Sequence, residues 1–541
     1  MSMRFHRMAF ALLLSAALFP PLPGCSDPAP SGDGSAKPRP REAVAAGEVF
    51  VYARGGDSLK LDPQDIVDGE SAKIVLNVFD TLVTVSDGGL DLVPALATDW
   101  RWADGGLTLE VDLRDGVKFH DGTDFDSEAV AFTFRRYLDK DSPFRFGRAP
   151  PCETFFEMLR AVEPDGPRRV RFRLKHPSGT LLANLSTFAS CIVSPTAMRK
   201  RGEAFARRPV GTGPLMLRDW RPDERMVFDA FPQHWRGPPA SKRFVVLSVR
   251  DNTVRLAALR RGEADIIDGV ELKDLEVIRR DPALKLQERP GMNICYLAIN
   301  CTKKPFDDPR VRRAVAHAVD KAALIGRAYH GEARPAKSVI PEVLWGHASD
   351  MEDTPHDPAR SRKLLAEAGY PDGLDVELWV MDVPRPYIPD PRRAAEVLKE
   401  NLRDAGFRVR LHSPDWGTYI KRTEDGEHTM CVIGWSADCP DPDNFIHTLT
   451  HKDNAVRGSA LNLAFYTTGD SHDLITRARQ TPDRTKRIAL YREAQRLLRD
   501  DAPVIPLAHT PFLCAQRAGV TGFTLQAVSV FPLRNAKAVA E

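Results

Sequence analysis

Two short stretches carry the residue types best suited to chemistry. The first runs from Ile433 to Phe445 and reads I-G-W-S-A-D-C-P-D-P-D-N-F. A strand-like run, Thr429 to Ile433, leads into Gly434 and Trp435, and Asp438 follows. Pro440 and Pro442 cannot continue a strand or the interior of a helix. A carboxylate just past a strand end, beside a large aromatic and on proline-stiffened backbone, suits a pocket for a cation with one apolar face. The second stretch, Pro384-Arg385-Pro386-Tyr387, is opposite in charge: an arginine between two prolines, then an aromatic. Together the two are expected to hold the ends of a zwitterion. Burying either charge of such a ligand unpaired is costly. Arg385 can meet a carboxylate with two parallel hydrogen bonds, which lysine cannot copy, and Asp438 can accept from an ammonium. Trp435, Trp416 and Tyr387 are expected as apolar walls beside Pro386, with main-chain groups at Ser436 and Ala437 adding hydrogen bonds. The competing reading is that Arg385 and Asp438 pair with each other, or Arg385 with Asp382 or Asp390, and merely hold loops.

Other chemistry finds less support. His120 has no partner histidine or nucleophile at a recognisable spacing and reads as a strand-edge residue beside a turn. H-E-x-x-H and G-x-S-x-G are absent. Gly211-Thr212-Gly213-Pro214 lacks the Lys-Ser/Thr of a phosphate loop and reads as a crossing between subdomains. Asp438, Asp441 and Asp443 lack the glycine and terminal glutamate of an EF-hand. No metal, no cofactor and no catalysis are expected. A net charge of +2, with no long basic block interleaved with aromatics, argues against nucleic acid.

The elements that must position the two stretches are legible. The chain of 541 residues has room for two large lobes. Leu107 to Leu113 and Arg169 to Leu174 alternate apolar and polar, as half-buried strands do. Asp126 is placed to N-cap a helix through Tyr137. From Met292 strands and helices alternate. Asp308-Pro309 and Asp357-Pro358 open helices, and Arg392 to Ala405 forms another, stopped by Gly406. Strands are expected over Asn293–Asn300, Leu374–Val380 and Phe407–Leu411. This is an open α/β pattern, whose ligands lie beyond the carboxyl ends of strands. Arg385 and Asp438 both follow such ends.

The N-terminus reads as a targeting segment, residues 1–24. Arg4, His6 and Arg7 precede an apolar run, Met8 to Phe19, too short for a comfortable membrane span. Leu22-Pro23-Gly24-Cys25 resembles the lipobox of bacterial lipoproteins, which implies a lipid on Cys25. Residues 25–47, rich in Pro, Ala, Gly and Ser, are expected to be a flexible tether. Of the eight cysteines, Cys431 with Cys439 and Cys152 with Cys191 are candidate disulfides, with free buried thiols the alternative. Cys295 and Cys301 lie about 20 Å apart on one extended run and cannot pair.

Several motifs in order carry a family resemblance. Leu96-Ala-Thr-Asp-Trp100, Leu113-Arg-Asp-Gly-Val-Lys-Phe-His-Asp-Gly-Thr123, Val210-Gly-Thr-Gly-Pro214 and the helix from Asp308 to Asp320 resemble those of solute-binding proteins of bacterial peptide ABC importers, the peptide/nickel family 5. Arg385-Pro386-Tyr387, and Gly434-Trp-Ser-Ala-Asp438 followed by Asp441-Pro-Asp-Asn-Phe445, are most similar to its dipeptide-binding members. There the arginine pairs with the ligand carboxylate and the aspartate with the α-ammonium, roles that carry over to Arg385 and Asp438. Ile388 and Val67 depart from that pattern, and Ala53 and Ala264 stand where a pair of family cysteines falls. The resemblance implies a two-lobed periplasmic-binding-protein fold with a hinge (type II, cluster C-like). It places lobe I at 48–289, with an extra subdomain about 103–208, lobe II at 290–504, and a C-terminal return to lobe I at 505–541. It also implies a monomer in the periplasm or at the cell surface, partnered by a short peptide and the transmembrane subunits of an ABC permease. Other cargo (oligopeptide, antimicrobial peptide, haem, glutathione, metal chelate), a receptor feeding a sensor and, from another class, a secreted peptidase are the rival expectations.

Overall fold

The computed structural model describes residues 48–147, 150–528 and 530–538. The expected leader, Cys25 and the tether lie outside them. β1 (Val49–Arg54) opens the fold, with five of its six residues buried, as a strand covered on both faces requires. Helix α1 (Gly69–Val78) follows, its first turn capped by the Asp68 carboxylate, which accepts from Ser71 N–H. Four strands then form a sheet of their own, β2 (Ala97–Ala103), β3 (Thr108–Leu113), β4 (Leu159–Pro164) and β5 (Arg169–Leu174), in the order β2-β3-β5-β4. Helix α2 (Ser127–Leu138) covers it, capped by Asp126, with Phe134 edge-on to Phe172 at 5.1 Å. This is the extra subdomain. β6 (Leu215–Arg221), β7 (Arg225–Ala230), β8 (Arg243–Ser248), β9 (Ile266–Asp268) and β10 (Leu284–Pro290) then join β1.

β11 (Asn293–Ile299), all seven residues buried, begins a second sheet. The helices over it alternate with strands: α3 (Pro309–Ala318), β12 (Arg334–Pro335), α4 (Pro358–Glu367), β13 (Leu374–Trp379), α5 (Pro391–Asp404), β14 (Phe407–His412), α6 (Trp416–Glu424), β15 (Met430–Ser436), α7 (Asp443–Thr450) and α8 (Arg484–Asp501). Asp308, Asp357 and Asp390 each cap a helix whose first residue is proline, the position at which its missing N–H and fixed φ cost nothing. β16 (Val504–His509) completes the six-stranded sheet, β12-β16-β11-β15-β13-β14. β17 (Pro511–Arg517) returns to the seven-stranded sheet, β10-β17-β9-β1-β8-β7-β6.

The fold is therefore α/β with two sheet-based lobes. The chain crosses between them twice, at Gly291–Met292 and at Thr510, and the crossings are neighbours. Pro290 pairs with Pro511 on one side and Cys295 with Ala508 on the other. The expected end of the second lobe at 504 falls at the start of β16; because β16 pairs with β11, the chain leaves this sheet only at Thr510. The crossings are clasped by Asn293. Its side chain donates to Thr510 O (2.9 Å) and accepts from Thr510 N–H (2.9 Å). Gly291 is required here, since a Cβ would lie 2.4 Å from both Asn293 Nδ2 and Thr510 O.

The candidate disulfides are not formed: all seven described cysteines are free. Cys152 Sγ hydrogen-bonds Gln64 O, and Cys439 Sγ lies 4.0 Å from Asn184 Oδ1. Burial pushes the thiols of Cys152, Cys191, Cys431 and Cys439 upward. They act as small apolar core residues.

Candidate functional site

β13 and β15 are parallel neighbours, Leu378 opposite Met430 and Trp379 opposite Cys431. Their carboxyl ends therefore open on one edge of the second sheet, and Arg385 and Asp438 follow them on that edge.

The Arg385 loop is a tight hairpin. Arg385 and Ile388 exchange backbone hydrogen bonds of 3.0 and 2.9 Å. Its next two carbonyls are held from below: Thr510 Oγ donates to Pro386 O (2.8 Å) and Tyr329 O–H to Tyr387 O (3.0 Å). The buried Tyr387 ring lies against Gly434, where a Cβ would come within 2.3 Å of it. So the glycine of the first stretch exists to seat the tyrosine of the second. Burial pushes the Tyr387 phenol up.

Loop and prolines leave the Arg385 guanidinium stacked on Trp416, 3.9 Å from the ring centre. Trp416 is itself stacked with Tyr419. Among the described residues no carboxylate lies within ion-pair distance of Arg385, and its buried Nε has no acceptor. The two neighbours that might have taken it do not. Asp390 caps α5 through Arg393 N–H at 2.9 Å, and Asp382 keeps one buried oxygen without a partner. Arg385 lines a cavity of about 740 Å³ whose opposite wall carries Glu70, Lys73 and Asp268. Those charges neutralise one another, Lys73 reaching Asp268 at 2.5 Å and Glu70 at 2.7 Å. Tyr52 O–H adds a bond to Asp268.

Asp438 is the counterpart. Its N–H donates to Asn444 Oδ1 (3.1 Å), which also accepts from Trp435 Nε1 (3.2 Å). Trp435 is thus a brace behind Asp438. Ala437 N–H is spent on Met292 O (2.9 Å), so that amide is not open to a ligand. Ser436 ends β15 opposite Asn293. No cation among the described residues pairs with Asp438. By surface area the residue is half-buried, opening on a cavity of about 160 Å³. Enough protein surrounds the carboxyl to push it up to about 7, desolvation outweighing its bond with Asn444. The two cavities share Val528 in their walls.

The remaining acids of this stretch are structural. Asp441 meets Arg487 with two bonds of 2.7 and 2.8 Å, and Asp443 meets Arg479 (3.0 Å) and Tyr491. His447, His451 and Asp453 bring ligand atoms within 4.8 Å of one another. Arg479 already donates to His447 Nε2 at 3.0 Å, a poor setting for a metal cation. His120 is tied to the Gly211–Gly213 turn, its Nε2 2.8 Å from Gly213 O, and burial lowers it to about 4.

Sequence reasoning missed the other lobe and the C-terminus. Lys73, Thr510, Val528, Phe531 and Arg534 reach the cavities from parts of the chain far in sequence from Arg385 and Asp438. Local pattern carries no signal for them.

A two-lobed α/β receptor, with its unpaired charges collected at the ends of parallel strands and its chain crossing twice at a clasped hinge, defines the class of solute-binding proteins. Residues 91–456 match the family "Bacterial extracellular solute-binding proteins, family 5 Middle", and the chain belongs to this family. It is 34% identical to the Heme-binding protein A of Haemophilus influenzae, over 86% of this chain and 88% of that protein. It is 32% identical to the Dipeptide-binding protein of Escherichia coli, over 91% and 95%. The solved structure of the ABC transporter-associated periplasmic binding protein DppA from Helicobacter pylori, in complex with the peptide STSA, superimposes with a TM-score of 0.79 at 30% identity. It covers 91% of this chain and 98% of that one. Among the described residues no helix is long and apolar enough to cross a membrane.

Proposed function

We propose that this protein captures dipeptides outside the cytoplasm and delivers them to an ABC permease, tethered to the membrane through a lipid on Cys25. The observation that carries the reading is the pair of orphaned charges. Among the described residues Arg385 has no carboxylate partner and Asp438 no cation, although both stand in a protein-lined cleft. Unpaired charges in such a place are costly unless a ligand supplies their partners. The ligand's carboxylate lies on Arg385 over Trp416, and its α-ammonium on Asp438. Tyr387 and Pro386 hold the arginine, and Trp435 holds the aspartate. Closure of the two lobes about the clasp at Thr510 excludes water from both pairs, and no bond is made or broken. Against the secreted-peptidase reading, burial pushes up the Cys439 thiol beside Asp438, and His120 is committed to a turn. The peptide named in the relative's structure supports the cargo class, and the name of the Escherichia coli relative supports the length.

A second reading, a peptide of about four residues, is favoured by the volume of the cavity that Arg385 lines, about 740 Å³, and by the peptide STSA in the Helicobacter pylori relative. Isothermal titration of the soluble form against Ala-Ala, tri-alanine, a hexapeptide and free alanine separates the two. Tight binding of Ala-Ala alone supports the two-ended ruler. Binding of the longer peptides without Ala-Ala removes one anchor.

A further inference from the structure

The cavity in front of Asp438 holds two more charges without opposite partners. Arg236 and Arg534 both line it. Among the described residues neither lies within ion-pair distance of a carboxylate. They are nonetheless positioned. Asp80 accepts from Trp235 Nε1 (3.0 Å) and Thr212 Oγ (2.9 Å) and lies 3.5 Å from His234 Nε2. Trp235, so fixed, carries the Arg236 guanidinium on its ring at 4.5 Å, with Arg114 also stacked on it at 4.4 Å. Arg534 donates to Arg236 O at 2.9 Å. Arg236 is exposed at the mouth of the cavity; Arg534 is half-buried, and desolvation, then repulsion from Arg236, holds it below the usual arginine range. The acids of this cavity do not neutralise the pair. Asp80 is held by its own donors and Asp87 stands exposed at the rim, so both act on Arg534 only at longer range, without a contact. The ligand's first residue, held by Asp438, therefore has two guanidinium groups in the same cavity as its side chain.

We infer that Arg236 and Arg534 form an anion subsite for the amino-terminal side chain, so that the preferred cargo begins with glutamate or aspartate. This rests on the reading that Asp438 receives the α-ammonium. A carboxylate of a Glu side chain would accept from one or both guanidinium groups, in a cavity of about 160 Å³ that takes one side chain. Such charge-assisted bonds, with the half-buried Arg534 the stronger partner, raise affinity about tenfold over an uncharged isostere.

The test is titration of the soluble protein with Glu-Ala, Gln-Ala and Lys-Ala. The expected result is Glu-Ala bound about tenfold more tightly than Gln-Ala, with Lys-Ala weakest. The Glu-Ala to Gln-Ala ratio should fall to about one in Arg534→Gln and be reduced in Arg236→Gln. The ratio is read because a loss of structure lowers both affinities together, and two variants are made in case one folds poorly. Equal binding of Glu-Ala and Gln-Ala by the wild type, or a preference for Lys-Ala, overturns the subsite and leaves the dipeptide reading standing. Binding of none of the three overturns both.

Discussion

At the scale of single residues, Asp438 makes the site sensitive to pH. Asp438 is pushed up to about 7 in the empty protein by desolvation. An ammonium pairs with the carboxylate and not with the acid, so dipeptide affinity should fall about tenfold per pH unit below 7. Binding in that range should release a proton, measurable by titration in buffers of different ionisation heat. Stability of the empty protein runs the other way. Its folded state holds the proton more tightly than the unfolded chain, so stability declines as pH rises from about 4 to about 7. Asp438→Asn should flatten that decline in a series of thermal melts. Removing either anchor, Arg385→Ala or Asp438→Ala, should lower Ala-Ala affinity by about 2–5 kcal/mol, since each leaves one ligand charge unpaired in the cleft. Circular dichroism should be unchanged, because among the described residues neither side chain pairs with another protein charge.

At the scale of elements, what was legible in the sequence was what is local. The capping aspartates, the proline-opened helices and the strand ends carrying Arg385 and Asp438 follow from nearest neighbours, and the structure has them. What was not legible depends on which elements meet. Gly434 read as a strand-to-loop transition; its reason is Tyr387, forty-seven residues away. Cys431 and Cys439 stand close in sequence, yet one is inside a strand core and the other faces Asn184 of the first lobe. The acids at 441 and 443 looked like companions of Asp438, and only Arg487 and Arg479 show them to be braces. Two outcomes test this division. Gly434→Ala should cost about 1–3 kcal/mol and weaken ligand binding, because the Tyr387 ring must move and Arg385 moves with it. Asp441→Ala should cost about 3–5 kcal/mol, leaving Arg487 buried without its partner, while the protein that remains folded binds Ala-Ala as before. Chemical denaturation beside titration reads both.

At the scale of the whole molecule, hinge and ligand site share one hydroxyl. Thr510 stands at the second crossing between the sheets and is 4% exposed. Its Oγ lies 2.8 Å from Pro386 O and 3.0 Å from Asn293 Oδ1. A hydroxyl has one proton to give; Pro386 O is the nearer acceptor and, among the described residues, has no other donor, whereas Asn293 Oδ1 also accepts from Thr510 N–H. The proton therefore goes to Pro386 O, the carbonyl beside Arg385, and ties the ligand's carboxylate anchor to the segment about which the lobes turn. Bending at Thr510 must then carry the Arg385 loop with it, or break this bond. Thr510→Val removes the donor at nearly constant volume and leaves the Pro386 carbonyl without it. The expected loss is about 1–3 kcal/mol, shared between stability and Ala-Ala affinity. Thr510→Ser keeps the donor and should restore the affinity. Asn293→Ala removes the clasp but not the tie to the loop. It should lower the melting temperature and change the ligand-induced compaction seen by small-angle scattering more than it changes affinity. If Thr510→Val instead binds Ala-Ala like the wild type, the loop is held by Tyr329 and Tyr387 alone and the hinge turns without it.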